Sequence, residues 1–194
     1  MVLTQQARLE KRKQIAKSTC TLFIQKGVIS ISISEIAKVA GIGKGTVYEY
    51  FSNKEDIVFE LMSCLQEDYD PKLKENLQKS SSTKQKIIYL FDLFLNDDET
   101  IQIQKKIYKE FIAIYLNNPS DEIINYKKVL KEKYTEILVD IFNTAIIEGE
   151  LVEESIELVP SIFATIEGFF IINDDKELIL NYIDSLFKIL EKRG

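Results

Sequence analysis

Residues 30–51 read SISISEIAKVAGIGKGTVYEYF, which contains two short helical patterns separated by glycines. The first pattern opens with Ser32-x-x-Glu35, a capping box in which the serine oxygen accepts from a backbone N–H and the carboxylate reaches back to the cap. A helix therefore begins directly after the serine, and Gly41 ends it. A second short helix is expected over about 43–50. Two short helices joined by a glycine-containing turn predict a helix-turn-helix.

The second of these helices carries groups that suit duplex DNA. In a helix-turn-helix the second helix enters the major groove, while the first crosses the backbone. Lysine can neutralise a phosphate, and threonine offers a hydroxyl and a methyl group to a base edge. Tyrosines add phenolic donors, and glycine permits close backbone approach. The candidate contacts are Lys44, Gly45, Thr46, Tyr48, Tyr50 and, on the next helix, Lys54. Val47 and Phe51 are expected to face inward.

The rest of the chain has the periodicity of helices and little strand alternation. A first helix is predicted from about Thr4 to Lys26, closed by Gly27, and a fourth begins after the cap Asn53. Further helices are expected at about 83–95, 99–117, 120–147, 155–172 and 175–192. Proline should bend or restart the fourth helix at Pro71 and kink the eighth at Pro160.

These patterns predict an all-α fold of about nine helices. An N-terminal three-helix helix-turn-helix domain should occupy residues 1–52, and a helical domain should occupy residues 53–194. The net charge of −6 is divided unevenly, because residues 1–52 carry eight cations and three acids, a net of +5, which leaves −11 for the remainder. A basic head on an acidic body indicates that the head meets a polyanion. A solvated basic helix face is the alternative that charge alone leaves open.

Composition argues against several other classes of protein. The chain has no histidine, the commonest general base and metal ligand, so neither an enzyme nor a metal site is expected. Cys20 and Cys64 form no C-x-x-C pair and are interpreted as small buried hydrophobes, with a redox switch as the alternative. No apolar run reaches membrane-spanning length, and the N-terminus has no apolar signal segment, so a cytoplasmic protein without cofactors is expected.

The pattern S-x-x-E-I-A-x-x-A-G-I-G-K-G-T-V-Y-E-Y-F-x-N-K-E, preceded by L-F-x-x-K-G, closely resembles the TetR family of bacterial transcriptional regulators. The resemblance covers about residues 11–60 and adds Ser32 to the candidate DNA contacts, either as a cap alone or as cap and phosphate donor. One departure concerns Gly43, which stands where the family usually has serine or a similar cap. Glycine is tolerated there, but one phosphate contact is then missing.

The resemblance implies a homodimer whose two heads bind a palindromic operator, usually as a repressor. It also implies that a small molecule enters the helical body and releases the DNA. The last two helices should pair across a two-fold axis, and the wide apolar stripe of the final helix supports this. Packing of that stripe within one chain is the alternative.

Aromatic residues in the body predict a cavity for a small apolar or planar ligand. The candidate ligand contacts are Phe91, Phe111, Tyr115, Phe142, Phe163 and Glu167. Plain core packing is the competing interpretation for each aromatic residue. Glu110 and Glu167 lie among apolar residues and are expected to face either solvent or a cationic ligand.

Two other functions compete with DNA binding. A helical adaptor could use its acidic body to bind a protein, but the basic head argues against it. An enzyme would need a nucleophile and base grouping that the sequence does not offer.

Overall fold

The computed structural model describes residues 4–117, 119–172 and 175–191. Apart from one bridge between Leu151 and Glu191, the regular structure in these ranges is helical. The helices are α1 (Gln5–Ser18), α2 (Cys20–Ser30), α3 (Ile33–Val39), α4 (Lys44–Tyr50), α5 (Lys54–Lys79), α6 (Thr83–Leu90), α7 (Asp92–Leu95), α8 (Glu99–Asn117), α9 (Asp121–Ile147), α10 (Val159–Ile172) and α11 (Lys176–Leu190), with a 3₁₀ turn at Glu153–Leu158. The predicted all-α class is confirmed.

The helices pack as two compact units, each made of two stretches of chain. The first unit comprises Met1–Asp70 and Asp98–Ser120, and the second comprises Pro71–Asp97 and Asp121–Gly194. Helix α5 begins in the first unit and ends in the second, because the division falls between Asp70 and Pro71. The sequence predicted a division after residue 52 between the helix-turn-helix domain and the rest of the chain. The two structural units do not test that functional division, which stays a prediction.

In the first unit, α1 and α2 pack together, α3 packs on α4, and α2 packs on α8. The core of the head consists of fully buried apolar side chains: Ile15, Ala16, Phe23, Ile36, Val47 and Phe51. Burying a side chain of this size stabilises the fold by about 1.5–3 kcal/mol. Val47 and Phe51 thus face inward as predicted, and they fix α4 against the rest of the unit.

Local interactions explain where the head helices begin and end. Ser32 and Glu35 form the predicted capping box at the start of α3. Gly41 has a φ of +65°, so it takes the positive-φ conformation that closes α3. The Asn53 side chain accepts from the backbone N–H of Asp56 at 2.7 Å, as expected for the cap of α5.

In the second unit, α10 packs against α9 and the 3₁₀ turn, while α6 packs against α9 and α11. Five aromatic rings meet here with centroids 4.4–6.5 Å apart: Phe91, Phe94, Phe169, Phe170 and Tyr182. Such ring pairs add about 0.5–1.5 kcal/mol each to their area of burial. Aromatic packing therefore holds α6, α7, α10 and α11 together.

The predicted first helix is divided at Thr19. The hydroxyl of Thr19 donates to the carbonyl of Ala16 at 2.6 Å, and its backbone N–H also bonds that carbonyl. Hydroxyl groups that bond the preceding turn compete with regular helix hydrogen bonds. The helix expected over 83–95 is likewise divided, at Phe91, where a bond to Ile88 tightens the turn.

The structure contradicts the restart expected at Pro71, though not the alternative bend, and the interior position expected for Pro160. Pro71 lies inside α5, which continues through it, so the expected restart of the helix does not occur. Pro160 is the second residue of α10, where its missing N–H costs no helical hydrogen bond, and no interior kink is needed. Among the helices of the described ranges, none combines the length and the apolar character needed to cross a bilayer.

Candidate nucleic-acid interface

Helix α4 and the turn before it expose most of the predicted DNA contacts. Lys44, Gly45 and Tyr48 are exposed, with 54% of Tyr48 accessible, and Thr46 is half-buried. Their opposite face is anchored by Val47, which is fully buried. The helix therefore presents a cation, a hydroxyl and a phenol to solvent while its apolar side holds it in place.

The caps of the two motif helices differ. Ser32 accepts from the N–H of Glu35 at 3.3 Å, and its hydroxyl donates to the same residue's carboxylate at 2.9 Å. The serine is exposed, so its role as a cap is observed and its role as a phosphate donor stays a prediction. Gly43, at the corresponding place before α4, provides no side-chain cap, in agreement with the departure noted in the sequence.

Glu35 links the capping box to a cation. Its carboxylate lies 2.7 Å from the ammonium of Lys26. Hydrogen bonds from Lys26 and from the backbone and hydroxyl of Ser32 lower the pKa of Glu35 from 4.5 to about 2. The capping box thus remains charged over most of the acid range.

Tyr50 and Lys54 are held by the protein itself. Tyr50 is only 9% exposed, and the guanidinium of Arg8 lies 5.6 Å from its ring centroid. The ammonium of Lys54 donates to the carbonyls of Ile29 and Ile31 at 2.7 and 3.2 Å. Both residues therefore stabilise the motif through contacts within the protein, and little of the Tyr50 surface is accessible for contact with DNA.

Most cations of the head also have partners within the first unit. Arg8 and Arg12 donate to the carbonyls of Glu49 and Tyr50, both at 2.6 Å. The remaining pairs are Arg12 with Glu60, Lys13 with Glu67, Lys17 with Asp68 and Lys26 with Glu35. Lys11, Lys38 and Lys44 have no such partner in the part of the chain that the structure describes.

The arrangement is that of a DNA-reading head, and comparison with known proteins agrees. Residues 15–61 match the family model described as "Bacterial regulatory proteins, tetR family". The head of the chain therefore belongs to the TetR family of bacterial regulatory proteins. It is a DNA-binding regulator, and its relatives are described as regulators rather than enzymes.

Similarity to TetR-family proteins extends beyond the head. The chain is 26% identical over 188 residues to the "Fatty acid metabolism regulator protein" of Bacillus subtilis, covering 93% of each protein. A TetR-family regulator from Cytophaga hutchinsonii superimposes with a TM-score of 0.77 at 17% identity and covers 100% of both chains. A putative regulator from Saccharomonospora viridis, solved in complex with choline, gives a TM-score of 0.75 at 17% identity and covers 95% of this chain and 99% of its own. The structural matches establish the fold.

The candidate ligand contacts of this TetR-family chain lie in both units. Phe111 is fully buried in the first unit and Tyr115 is half-buried on the same helix. In the second unit, Phe91 and Phe142 are fully buried and Phe163 is 7% exposed. These burials are those of core residues, which is the competing interpretation from the sequence, and ligand contact stays a prediction. A cleft of about 330 Å³ in the second unit is lined by none of the six candidates.

Both glutamates are half-buried and have partners within the protein. Glu110, on α8, accepts from the backbone N–H of Val28 at 3.0 Å. Glu167 is hydrogen-bonded and ion-paired with Lys127, which is itself 9% exposed. That ammonium also lies 5.5 Å from the ring centroid of Phe163, so two of the ligand candidates share one cationic neighbour. Neither carboxylate is fully exposed, and whether either one also contacts a cationic ligand stays a prediction.

The cysteines are not activated thiols. Cys64 is 1% exposed, and burial, as the main cause, raises the pKa of its thiol to about 11. Burial also raises the pKa of the half-buried Cys20. Since the thiolate is the reactive form, the raised pKa values favour the interpretation of both residues as small apolar groups.

Two features were missed in the sequence. Lys38 is an exposed cation on α3 without a predicted role, although its place in the last turn of a motif helix was a usable signal. Arg8 and Arg12 were counted only as part of the basic charge. Their partners at the end of α4 lie 41 residues from Arg8 and 38 residues from Arg12, so no short sequence spacing connects them.

Proposed function

We propose that this TetR-family regulator is a homodimeric repressor that binds a palindromic operator and is released by a small molecule. The observation that carries the proposal is that Lys44 and Tyr48 are exposed, with the half-buried Thr46 between them, on a helix whose other face is buried. A short helix presenting such groups fits the major groove, where each base pair shows a distinct pattern of donors and acceptors. Ser32 and Gly45 complete the proposed contact surface. Because a regulator must reach the bacterial DNA, a cytoplasmic location is also part of the proposal.

The experiment begins with selection of duplexes from a random-sequence library by the unaltered full chain. We expect an inverted repeat, and an affinity that falls steeply with salt because bound phosphates release counterions. Replacing Lys44 and Tyr48 together by alanine should remove one phosphate contact and one groove contact, at about 2–4 kcal/mol, or roughly 30-fold to 1,000-fold in affinity. Lys131→Ala, which removes an exposed cation of α9, is the control and should leave affinity unchanged. Unaltered binding by the double variant would reject the recognition helix.

The dimer is proposed to form through α10 and α11. Most of the predicted apolar stripe of α11 is buried within its own unit, including Ile179, Ile183 and Phe187, so intramolecular packing accounts for that part. An outer face remains, at helical spacing, with Leu178 46% and Ile189 75% exposed. Exposed apolar side chains on one helix face are typical of a contact with a second copy.

Charge on this outer face should separate the subunits. Leu178→Glu with Ile189→Glu is expected to convert the dimer to a monomer in sedimentation velocity. Leu180→Glu is a matched control, because Leu180 is 42% exposed but lies off the face that the other two share. A dimer that survives the double substitution would contradict the interface.

The ligand is proposed to be small and either apolar or aromatic, and to bind within the helical body. Support comes from the aromatic content of α6 to α10 and from the names of two similar proteins, one a fatty acid metabolism regulator and one solved with choline. Because Lys127 and Glu167 form an ion pair beside Phe163, this pair does not favour one of the two chemistries over the other. A fatty acid and choline are therefore each added to the complex with the selected duplex; release by either one supports the ligand site, and release by neither contradicts these two ligand classes.

A further inference from the structure

The end of the recognition helix is held by two arginines from the first helix. The last carbonyls of a helix have no partner within the helix. In α4, the carbonyl of Glu49 accepts from Arg8 and that of Tyr50 accepts from Arg12, each at 2.6 Å. The same guanidinium groups lie over aromatic rings, Arg8 at 5.6 Å from the ring centroid of Tyr50 and Arg12 at 4.5 Å from that of Phe51.

Helix α4 needs such support because it has little of its own. It has seven residues, no side-chain cap at Gly43 and no acidic residue in its first turn. A helix of this length is not stable by itself in water. Val47, Tyr50 and Phe51 are buried on one side of the helix, but apolar contacts provide no hydrogen-bond partner for the carbonyls of its last turn.

Arg12 adds directional control that a point charge would not provide. Its Nη1 donates to the carbonyl of Tyr50, while its Nε donates to the carboxylate of Glu60 on α5 at 3.0 Å. The Glu60 side chain is 13% exposed and that of Arg12 27% exposed. The planar guanidinium thus fixes the direction of the α4 end relative to α5, since its donors point in set directions.

We propose that Arg8 and Arg12 are positioning residues for DNA recognition, which set the orientation of α4 rather than binding phosphate. The inference rests on the proposed contact between α4 and the operator. Both guanidinium groups are occupied by carbonyls at the carboxyl end of α4, where a cation also interacts favourably with the helix dipole. Each guanidinium therefore spends at least one donor on the end of α4, and we infer that its main contribution to binding is geometric.

The test compares Arg12→Met, Arg12→Lys and Arg8→Met with Lys13→Met in the full chain. Lys13 is a matched control, because it is a cation on the same helix whose partner, Glu67, lies away from α4. Two quantities are measured: amide hydrogen exchange of residues 44–51 without DNA, and affinity for the selected duplex across a salt series.

Arg12→Met and Arg8→Met should speed exchange in α4 and weaken binding roughly tenfold or more, with an unchanged salt slope. Arg12→Lys should weaken binding similarly, because one ammonium does not reproduce the two directed bonds. Lys13→Met should match the unaltered chain in exchange. If Arg12→Met does not fold, Arg8→Met decides, since it removes no ion pair with α5.

A salt slope smaller by about 0.9 for each phosphate that is no longer neutralised, with unchanged exchange in α4, would identify phosphate contacts and overturn the proposal. Unchanged exchange and unchanged affinity would overturn it as well. Failure of the proposed function has a different signature: the unaltered chain then selects no duplex, while the exchange measurement still shows whether the arginines hold α4.

Discussion

The cations of α1 and those of the α3–α4 segment differ in what surrounds them. On α1, four of the five cations contact a carbonyl or a carboxylate, and only Lys11 has no such partner in the described ranges. On α3 and α4, both Lys38 and Lys44 are exposed, and neither has a hydrogen-bond or ion-pair partner among the residues that the structure describes. Although α1 holds five cations and the α3–α4 segment only two, the α3–α4 segment leaves more of its lysines unpaired for an external anion.

Net charge by itself overstates the field that a polyanion meets. The hydrogen bonds that Lys13 and Lys17 donate to the carboxylates of Glu67 and Asp68 are the leading cause that raises the pKa values of these two lysines. These lysines thus stay charged, but each faces a carboxylate on α5 that cancels most of its effect at a distance. The charge of +5 over residues 1–52 is largely a feature of how the head folds, and the free lysines mark where DNA is expected.

The largest expected difference is in the salt dependence of DNA binding, compared between two double variants that each lose two lysines from one segment. Lys38→Ala with Lys44→Ala should lower the slope of log affinity against log salt by about 0.9 for every phosphate that these lysines neutralise. Lys13→Ala with Lys17→Ala removes the same charge but should leave the slope nearly unchanged, since both cations are already paired. Titrations of the selected duplex over a salt series measure both. Equal slopes for the two double variants would remove the distinction between the segments.

A smaller effect is expected on the pH dependence of stability, through the ion pair between Lys26 and Glu35. Because the pKa of Glu35 is lowered from 4.5 to about 2 in the folded chain, its stabilising effect is complete above pH 4.5 and is lost as the pH falls toward 2. Glu35→Gln keeps the hydrogen bond of the capping box but loses the ion pair. We therefore expect a slightly lower stability to urea at pH 7, with the difference shrinking below pH 4.5.

Glu154→Gln provides the control for this measurement, because Glu154 is an exposed carboxylate. Its effect on stability should not vary with pH in the same way. A Glu35→Gln difference that grows as the pH falls would show that the Lys26–Glu35 pair does not stabilise the charged carboxylate.

The motif was predictable from sequence because its signals are local. Ser32, Glu35 and Gly41 act within one or two turns of chain, so their spacing alone specifies the capping box and the turn. The inward position of Val47 follows from helical periodicity in the same way. The family pattern then covers these residues at fixed spacing, which is why the first helices and the function class were anticipated together.

The missed features depend on contacts between distant parts of the chain. No periodicity connects Arg12 to the carbonyl of Tyr50, or Glu110 to the N–H of Val28, because each pair is brought together only by packing. The aromatic candidates of the body stay undecided for a related reason. Phe91 and Phe142 have the spacing of either a core or a cavity, and the structure shows them fully buried. Helical spacing indicates which face of a helix is apolar, and it does not say what covers that face.

The bond between Glu110 and Val28 makes Gly27 a joint between α8 and the motif. Gly27 has a φ of +69°, and a methyl group on it would lie 3.3 Å from the Glu110 carboxylate, so a larger residue would push against the acceptor as well as strain the backbone. If α8 slid by one helical turn, the N–H of Val28, a residue only 3% exposed, would be left without its acceptor. An unpaired buried group costs about 1–3 kcal/mol. That is enough to change a conformational equilibrium by roughly 5-fold to 150-fold, so a shift along one helix axis would be felt at the turn that leads into the recognition motif.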